Sequence, residues 1–279
     1  MKVKTLGWLV VAGALASSFV SCTQPKVECT AAHAGAFYGF AAKYTPTGTP
    51  PACAPAESLL LGDTIGFETY HPSKDDGDGP QADYSSTLVA IQADTLGFLA
   101  LLAQDGLDKD GNPAPGNDPN PDHKLYASGN FDSTEPDAND FCKLTKLQPA
   151  EQNFSEYYAE VVDDTTDPPT VTYELAAPKT DIKYEWKNVD VYVTATSQGT
   201  QFSADLTHTQ DACSVDYRVV GVWPGVGCLL DFDEMGNPIF QDSLCCPDAD
   251  PNDDNRPVGS GINPDFPVVC DHNLGMCVL

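Results

Sequence analysis

The chain has 279 residues, with 41 Asp and Glu against 14 Lys and Arg, a formal charge of −27, ten cysteines, 22 glycines and 23 prolines. Its length and 41% apolar content suffice for a substantial core. So large an acid surplus leaves no basic patch to release counterions, which excludes nucleic acid as a partner and disfavours anionic lipid headgroups. Ten cysteines among so much Gly, Pro and Asp point to an oxidising compartment.

Lys2 and Lys4 make a charged start, and Leu6 to Val20 contain no ionisable side chain. That run is too short to span a bilayer comfortably and reads as an export signal over residues 1–21. It ends in Phe19-Val20-Ser21-Cys22, which resembles a bacterial lipobox, with Phe19 where leucine is usual. The resemblance implies lipidation of Cys22, which becomes the first residue of the mature chain. Each buried methylene contributes about 0.8 kcal/mol, so two or three acyl chains anchor stably where one does not. Thr23-Gln24-Pro25 lacks the aspartate that retains related lipoproteins at the inner membrane, so the resemblance implies the outer membrane, on its periplasmic or surface side. Processing removes two lysines and no acid, which takes the formal charge from −27 to −29.

After a tether over residues 22–32, a single β-rich domain is expected over 33–279. AFYGFAAKY at 36–44 suits a strand, TPTGTPPACAP breaks it, and ESLLLGD and TIGFETY read as two more strands. HPSKDDGDGPQADY is an acidic loop, and STLVAIQA is extended. DTLGFLALLAQ, with Leu96, Leu99 and Leu102 behind a possible Asp94 cap, predicts one short helix near 94–104. Residues 104–123 have no periodicity, and a loop that long is either functional or disordered. KLYASGNF and TVTYEL are further strands.

The clearest fold signal is a β-meander at 182–223, where IKYEWKNVDVYVTAT, QFSADLTHT and CSVDYRVVGVW alternate apolar and polar residues and are separated by turn residues. One wet and one buried face imply an antiparallel sheet packed on a second layer. The fold class is therefore mainly β, an antiparallel β-sandwich, with an irregular, disulfide-tied C-terminal wrap over 228–279.

Lipidation of Cys22 leaves Cys29, Cys53, Cys142, Cys213, Cys228, Cys245, Cys246, Cys270 and Cys277 as disulfide candidates, an odd number whose connectivity the sequence leaves open. Cys29–Cys53 and Cys270–Cys277 are natural closures. Cys213–Cys228 is excluded by an extended segment of roughly 30 Å between them that the few remaining residues cannot retrace. Adjacent Cys245 and Cys246 are expected to reach different partners. Cys270-x-His272-x4-Cys277 offers three zinc ligands, but in no common spacing.

Weak calcium candidates are Asp231, Asp233 and Asp242, and Asp248, Asp250 and Asn252. Each set has carboxylates or amides at alternate positions but breaks the loop pattern, with Met235 at position five of the first and Asp253 where the second needs glycine. Asp105, Asp108 and Asp110 form a third broken copy. Solvated acidic loops that keep the chain soluble are the simpler reading, with no cofactor. His33, His71, His123, His208 and His272 are isolated, and no HExxH, GxSxG, Walker or GxGxxG motif is present, so no catalytic residue is assigned. Tyr157, Tyr158, Tyr184 and Trp186 suit either a carbohydrate surface or core packing.

The start MKVKTLGWLVVAGALASSFVSCTQPK and the segments IKYEWKNVDVYVTATSQGTQF, CSVDYRVVGVWP and SGINPDFPVVCD resemble the myxobacterial lipoproteins of the MlpA family. The resemblance implies an outer-membrane lipoprotein without an assigned reaction. The functional expectation is a lipid-anchored envelope protein with a structural or partner-binding β domain, its partner in the envelope or outside it. The alternatives are a calcium-stabilised adhesion module and a hydrolase with a dispersed active site.

Overall fold

The computed structural model describes residues 26–32, 39–75, 77–114 and 118–279. The expected signal segment, Cys22 and His33 lie outside them.

Strand β1 (Phe40–Pro46) runs antiparallel to β2 (Gly62–Tyr70). ESLLLGD is not a separate strand. A 3-10 turn at Ala56–Ser58 forms there because the Ser58 N–H and Oγ both close on the Pro55 carbonyl, and Leu59 and Leu60 pack on the core. β3 (Ser73–Asp75) and β4 (Pro80–Ala82) make a small exposed hairpin in the acidic loop. β5 (Leu88–Ala93) returns to the main sheet and leads directly into the helix α1 (Asp94–Asp105). The buried helical positions are Leu96, Ala100 and Ala103 rather than a leucine row, because period 3.6 carries a three-residue spacing off the face.

Four short strands follow: β6 (Ala127–Asn130), β7 (Phe141–Leu144), β8 (Leu147–Gln148) and β9 (Ala150–Phe154). β10 (Tyr157–Asp163) and β11 (Thr170–Ala177) form a separate two-stranded ribbon, and Tyr158 of β10 also bridges to Leu107. The meander is present as expected, in β12 (Thr180–Val193), β13 (Gln198–Gln210) and β14 (Cys213–Val222). The ten-stranded antiparallel sheet runs β7-β12-β13-β14-β1-β2-β5-β6-β8, with β9 sharing the β12 edge with β7. The sheet curls so that β6 and β8 approach β12, giving two facing layers around one apolar cluster without a hydrogen-bonded closure.

Within β12 the buried side switches parity. Ile182, Tyr184 and Trp186 point inward, then Val189, Val191 and Val193. A register shift between Lys187 and Asp190, with Asn188 at φ 47°, inserts the extra residue that changes the phase. The Asn188 side chain donates to Asp205 on β13 at 2.8 Å, tying the bulge down. At the centre of the core Phe40, Phe67 and Phe202 meet with ring centroids 5.2–5.7 Å apart, one edge against another's face. A side chain at Gly221 would occupy the space of the Phe202 ring, so glycine there lets the ring lie across β14.

The opposite face of β1 and β14 is covered as well. Ala41 and Val222 are fully buried against the C-terminal wrap, in a cluster with Cys228, Cys245, Ile262, Cys277 and Val278. The wrap comprises β15 (Leu229–Phe232), β16 (Pro238–Phe240), a 3-10 turn at Asp242–Cys245, β17 (Val269–Asp271) and β18 (Met276–Val278). It therefore has a small core of its own, where the sequence suggested only an irregular staple. Cys228–Cys270 and Cys245–Cys277 hold it, and Lys43 of β1 reaches Asp271 at 2.7 Å.

The helix is capped across the fold. Ala93 is its N-cap and offers no side-chain acceptor, so the Thr95 N–H donates instead to the Asp63 carboxylate of β2 at 3.3 Å. Burial pushes the Asp63 carboxyl up to about 6, against the opposing effect of the Thr95 and Thr64 hydrogen bonds. Because the folded value lies above the unfolded one, this group's stabilising contribution is complete below pH 4 and is lost as pH rises through 6. Asp63→Asn, which keeps the capping oxygen, should raise unfolding free energy in urea by about 1–3 kcal/mol above pH 7 and by nothing below pH 4.

Candidate functional site

The segment expected as a free tether is docked from Lys26 onward. Lys26 pairs with Glu135 at 2.7 Å, and Cys29 is bonded to Cys142 of β7. The Cys29 N–H donates to Thr134 O at 2.9 Å, the Ala31 N–H to Thr69 Oγ1 at 3.0 Å, and the Ala32 N–H to Gly199 O at 2.8 Å. Cys29, Ala31 and Ala32 are buried. Gly199 sits at φ 70°, and a side chain there would strike the Thr30 and Ala31 backbone, so glycine is needed both for the turn and for this close approach. Residues 26–32, expected as part of the tether, are thus packed on the domain.

Between this segment, the end of β2 and the β12–β13 turn lies a cleft of about 590 Å³. Its lining includes His71, Tyr84, Thr134 and Gln198, with Cys29 and Thr69. His71 and Tyr84 are in ring contact, with centroids 4.8 Å apart, and Tyr84 is 74% exposed. His71 Nδ1 lies 2.9 Å from Ser86 O.

A second cleft of about 410 Å³ holds His208, Asp211 and Ser58 beside the Cys53–Cys213 bond. These three residue types suit a hydrolase, but they are not connected. Ser58 Oγ donates to Pro55 O, Asp211 accepts from the Asp181 N–H, and His208 has no hydrogen-bond partner among the described residues. His208 is buried edge-on to Tyr184, and desolvation pushes its imidazole down to about 4. At His123 the Nδ1 atom meets Asp118 at 2.6 Å, while Nε2 faces Glu151 at 3.6 Å. Two carboxylates and no hydroxyl surround that ring, so it holds the 118–123 loop to β9 rather than activating a nucleophile. His272 stacks on Phe240 at 4.3 Å and binds the exposed Asp242 at 2.7 Å.

The calcium candidates are engaged separately. Asp231 accepts from the Phe232 N–H, and Asp233 accepts from the Met235 and Asn237 N–H groups. Asp250 accepts from the Asn252 N–H and pairs with Arg256 at 3.1 Å, and Asn252 Nδ2 turns back to Asp250. Asp242 is the residue on His272, and Asp248 has no partner among the described residues. Clusters of possible ligands among the described residues are Cys228, Cys245 and Cys277, and Asp242, Cys270 and His272. All four of those cysteines are in disulfides, so neither cluster offers a thiolate and the zinc reading of Cys270, His272 and Cys277 is overturned.

The cysteines pair as Cys29–Cys142, Cys53–Cys213, Cys228–Cys270 and Cys245–Cys277, with Cys246 unpaired and exposed. Cys29–Cys53 and Cys270–Cys277 are therefore wrong pairings. Cys270 and Cys277 face each other across the β17–β18 ladder, yet each reaches into the wrap instead. Cys245 and Cys246 do not bond to each other, and Cys213 does not bond to Cys228. Of the candidate carbohydrate-facing aromatics, Tyr184 and Trp186 are core residues, and Tyr157 and Tyr158 are half-buried. Tyr84 escaped notice in the sequence; its signal was an aromatic ring at the end of an otherwise polar, acidic loop.

The family model for MlpA matches residues 38–224. The chain belongs to the MlpA family. It is 34% identical over 137 residues to "Putative lipoprotein MlpA" of Myxococcus xanthus, a match covering 49% of this chain and 44% of that relative. The chain thus aligns with less than half the length of that curated relative. No solved structure matches. The MlpA match takes in the sheet from β1 to β14 and ends where the wrap begins, so the docked segment 26–32 and residues 225–279 lie outside it.

The Cys29–Cys142 bond spans a sequence separation of 113, which in the chain-entropy model stabilises by roughly 4–5 kcal/mol. The double variant Cys29→Ala, Cys142→Ala should lower the heat-unfolding midpoint and open residues 26–32 to limited proteolysis, as read by mass spectrometry.

Proposed function

We propose that this chain is an exported lipoprotein, anchored in the outer membrane through lipid on Cys22, whose β domain presents a rigid, non-catalytic binding surface to an envelope or extracellular partner. The observation that carries the reading is the junction between the lipobox-like segment and the docked segment. Only Thr23 to Pro25 separate Cys22 from Lys26, which is already paired with Glu135 on the domain, and four residue steps span at most about 14 Å. Such an anchor holds the domain against the membrane with the tether edge inward, while the acidic body faces outward, repelled by anionic headgroups. The Myxococcus xanthus relative carries the lipoprotein name, which agrees with this reading. That no described histidine pairs with a hydroxyl or thiol supports a binding role over hydrolysis, and carboxylates spent on their own backbones support solvated loops over calcium sites.

Cys22→Ser should leave the signal segment uncleaved and move the protein from the detergent phase to the aqueous phase on temperature-induced phase separation. Unchanged partitioning of the variant would refute the anchor. For the purified chain, the heat-unfolding midpoint should be the same in millimolar calcium and in chelator; a rise of several degrees with calcium would restore the adhesion-module reading.

A further inference from the structure

The described lining of the cleft beside the docked segment carries no net charge. The chain carries 41 acids against 14 bases, yet the charged residues in this lining are Lys26 and Glu28, of opposite sign. Lys26 is already neutralised by Glu135. The described lining thus has neither the carboxylate cluster a cation needs nor the cationic pair an anion needs. Its volume of about 590 Å³ lies within the range of small-ligand sites.

What the lining offers instead is unspent hydrogen bonding. The side chains of Thr87, Thr134 and Gln198 make no hydrogen bond among the described residues. Each hydroxyl donates and accepts, and the amide does both. At His71 the Ser86 carbonyl can only accept, so it holds the proton on Nδ1 and leaves Nε2 as an acceptor. Tyr84 adds to this lining an aromatic ring that is 74% exposed and in tilted contact with the His71 ring. The floor is fixed by the Cys29–Cys142 bond and the Ala31 to Thr69 hydrogen bond, so little ordering is required on binding.

We propose that this cleft binds an uncharged saccharide, whose C–H face packs on Tyr84 and whose hydroxyl groups are read by Thr87, Thr134, Gln198 and His71. A sugar ring has one apolar face and a rim of groups that both donate and accept. A neutral cleft with one open aromatic platform and mixed donor–acceptor side chains complements that chemistry. The inference goes beyond the anchoring role and stands whether or not Cys22 carries lipid.

The test is calorimetric titration of the full chain, in a zwitterionic detergent free of sugar headgroups, with maltotriose, cellotriose, mannotriose and triacetylchitotriose. At least one should bind with a Kd of about 1 mM or below. Tyr84→Ala should weaken that binding about tenfold, the worth of one aromatic contact, while Tyr84→Phe retains it. Thr134→Val and Gln198→Ala should each weaken it several-fold. Because Tyr84 is so exposed, Tyr84→Ala should leave the heat-unfolding midpoint unchanged, which separates lost binding from lost folding. Absence of heat from every trisaccharide at about 10 mM would overturn the proposal. So would binding that Tyr84→Ala leaves unaltered, or binding of an anionic uronate trisaccharide as tight as that of the neutral ones.

Discussion

The bond between Cys29 and Cys142 ties the first docked residues to β7, an edge strand of the ten-stranded sheet. Three consequences follow from where it sits. It brings Thr30 and Ala31 under the β12–β13 turn, where only a glycine at position 199 leaves them room. It gives the cleft a floor that the sheet alone does not supply, since β2 ends at Tyr70 and its Thr69 meets the segment through one hydrogen bond. It also sets how far the domain can stand from whatever lies before Lys26. A disulfide suits this position because the edge of a sheet has few apolar neighbours to hold a short incoming strand of chain.

A similar logic explains the C-terminal wrap. Strands buried on one face can leave the other wet, as β13 does with Ser203, Asp205 and Thr207 alternating with buried Phe202, Ala204 and Leu206. β1 and the end of β14 do not, since Ala41, Gly221 and Val222 are small or apolar on both faces. The wrap supplies the second cover, with two disulfides compensating for how little apolar side chain it contributes. The family match ends at residue 224, so it takes in the sheet and leaves out the segment that caps it.

Legibility in the sequence tracked the range of the interactions involved. The meander was readable because alternation is local, and even its phase change was on view in IKYEWKNVDVYV, where buried residues pass from even to odd positions at Asn188. The helix was readable as a helix, but its cap was not, because Asp63 reaches Thr95 across the sheet. β7 and β9 are too short to show a period and exist only because β12 offers them an edge. Cysteine pairing failed for the same reason. Cys53 and Cys213 are separated by 160 positions, and nothing near either one indicates the other. The cleft was illegible altogether, since it is lined from five separate stretches of the chain that no spacing rule connects.

The acid surplus acquires a specific meaning from the loops. Asp83, Asp108, Asp137, Asp163, Asp233 and Asp250 each accept from backbone N–H groups two to four residues ahead, and each carboxyl is held below its ordinary value by those bonds or by neighbouring hydroxyl, amide or cationic groups. Aspartate at these positions closes a turn by replacing a backbone acceptor. A β protein with many short strands needs many such turns, and a chain that makes them with aspartate becomes acidic as a by-product. Part of the charge is therefore a record of how the chain turns. The cleft beside residues 26–32 lies outside that pattern, since its described lining holds one base and one acid, Lys26 and Glu28.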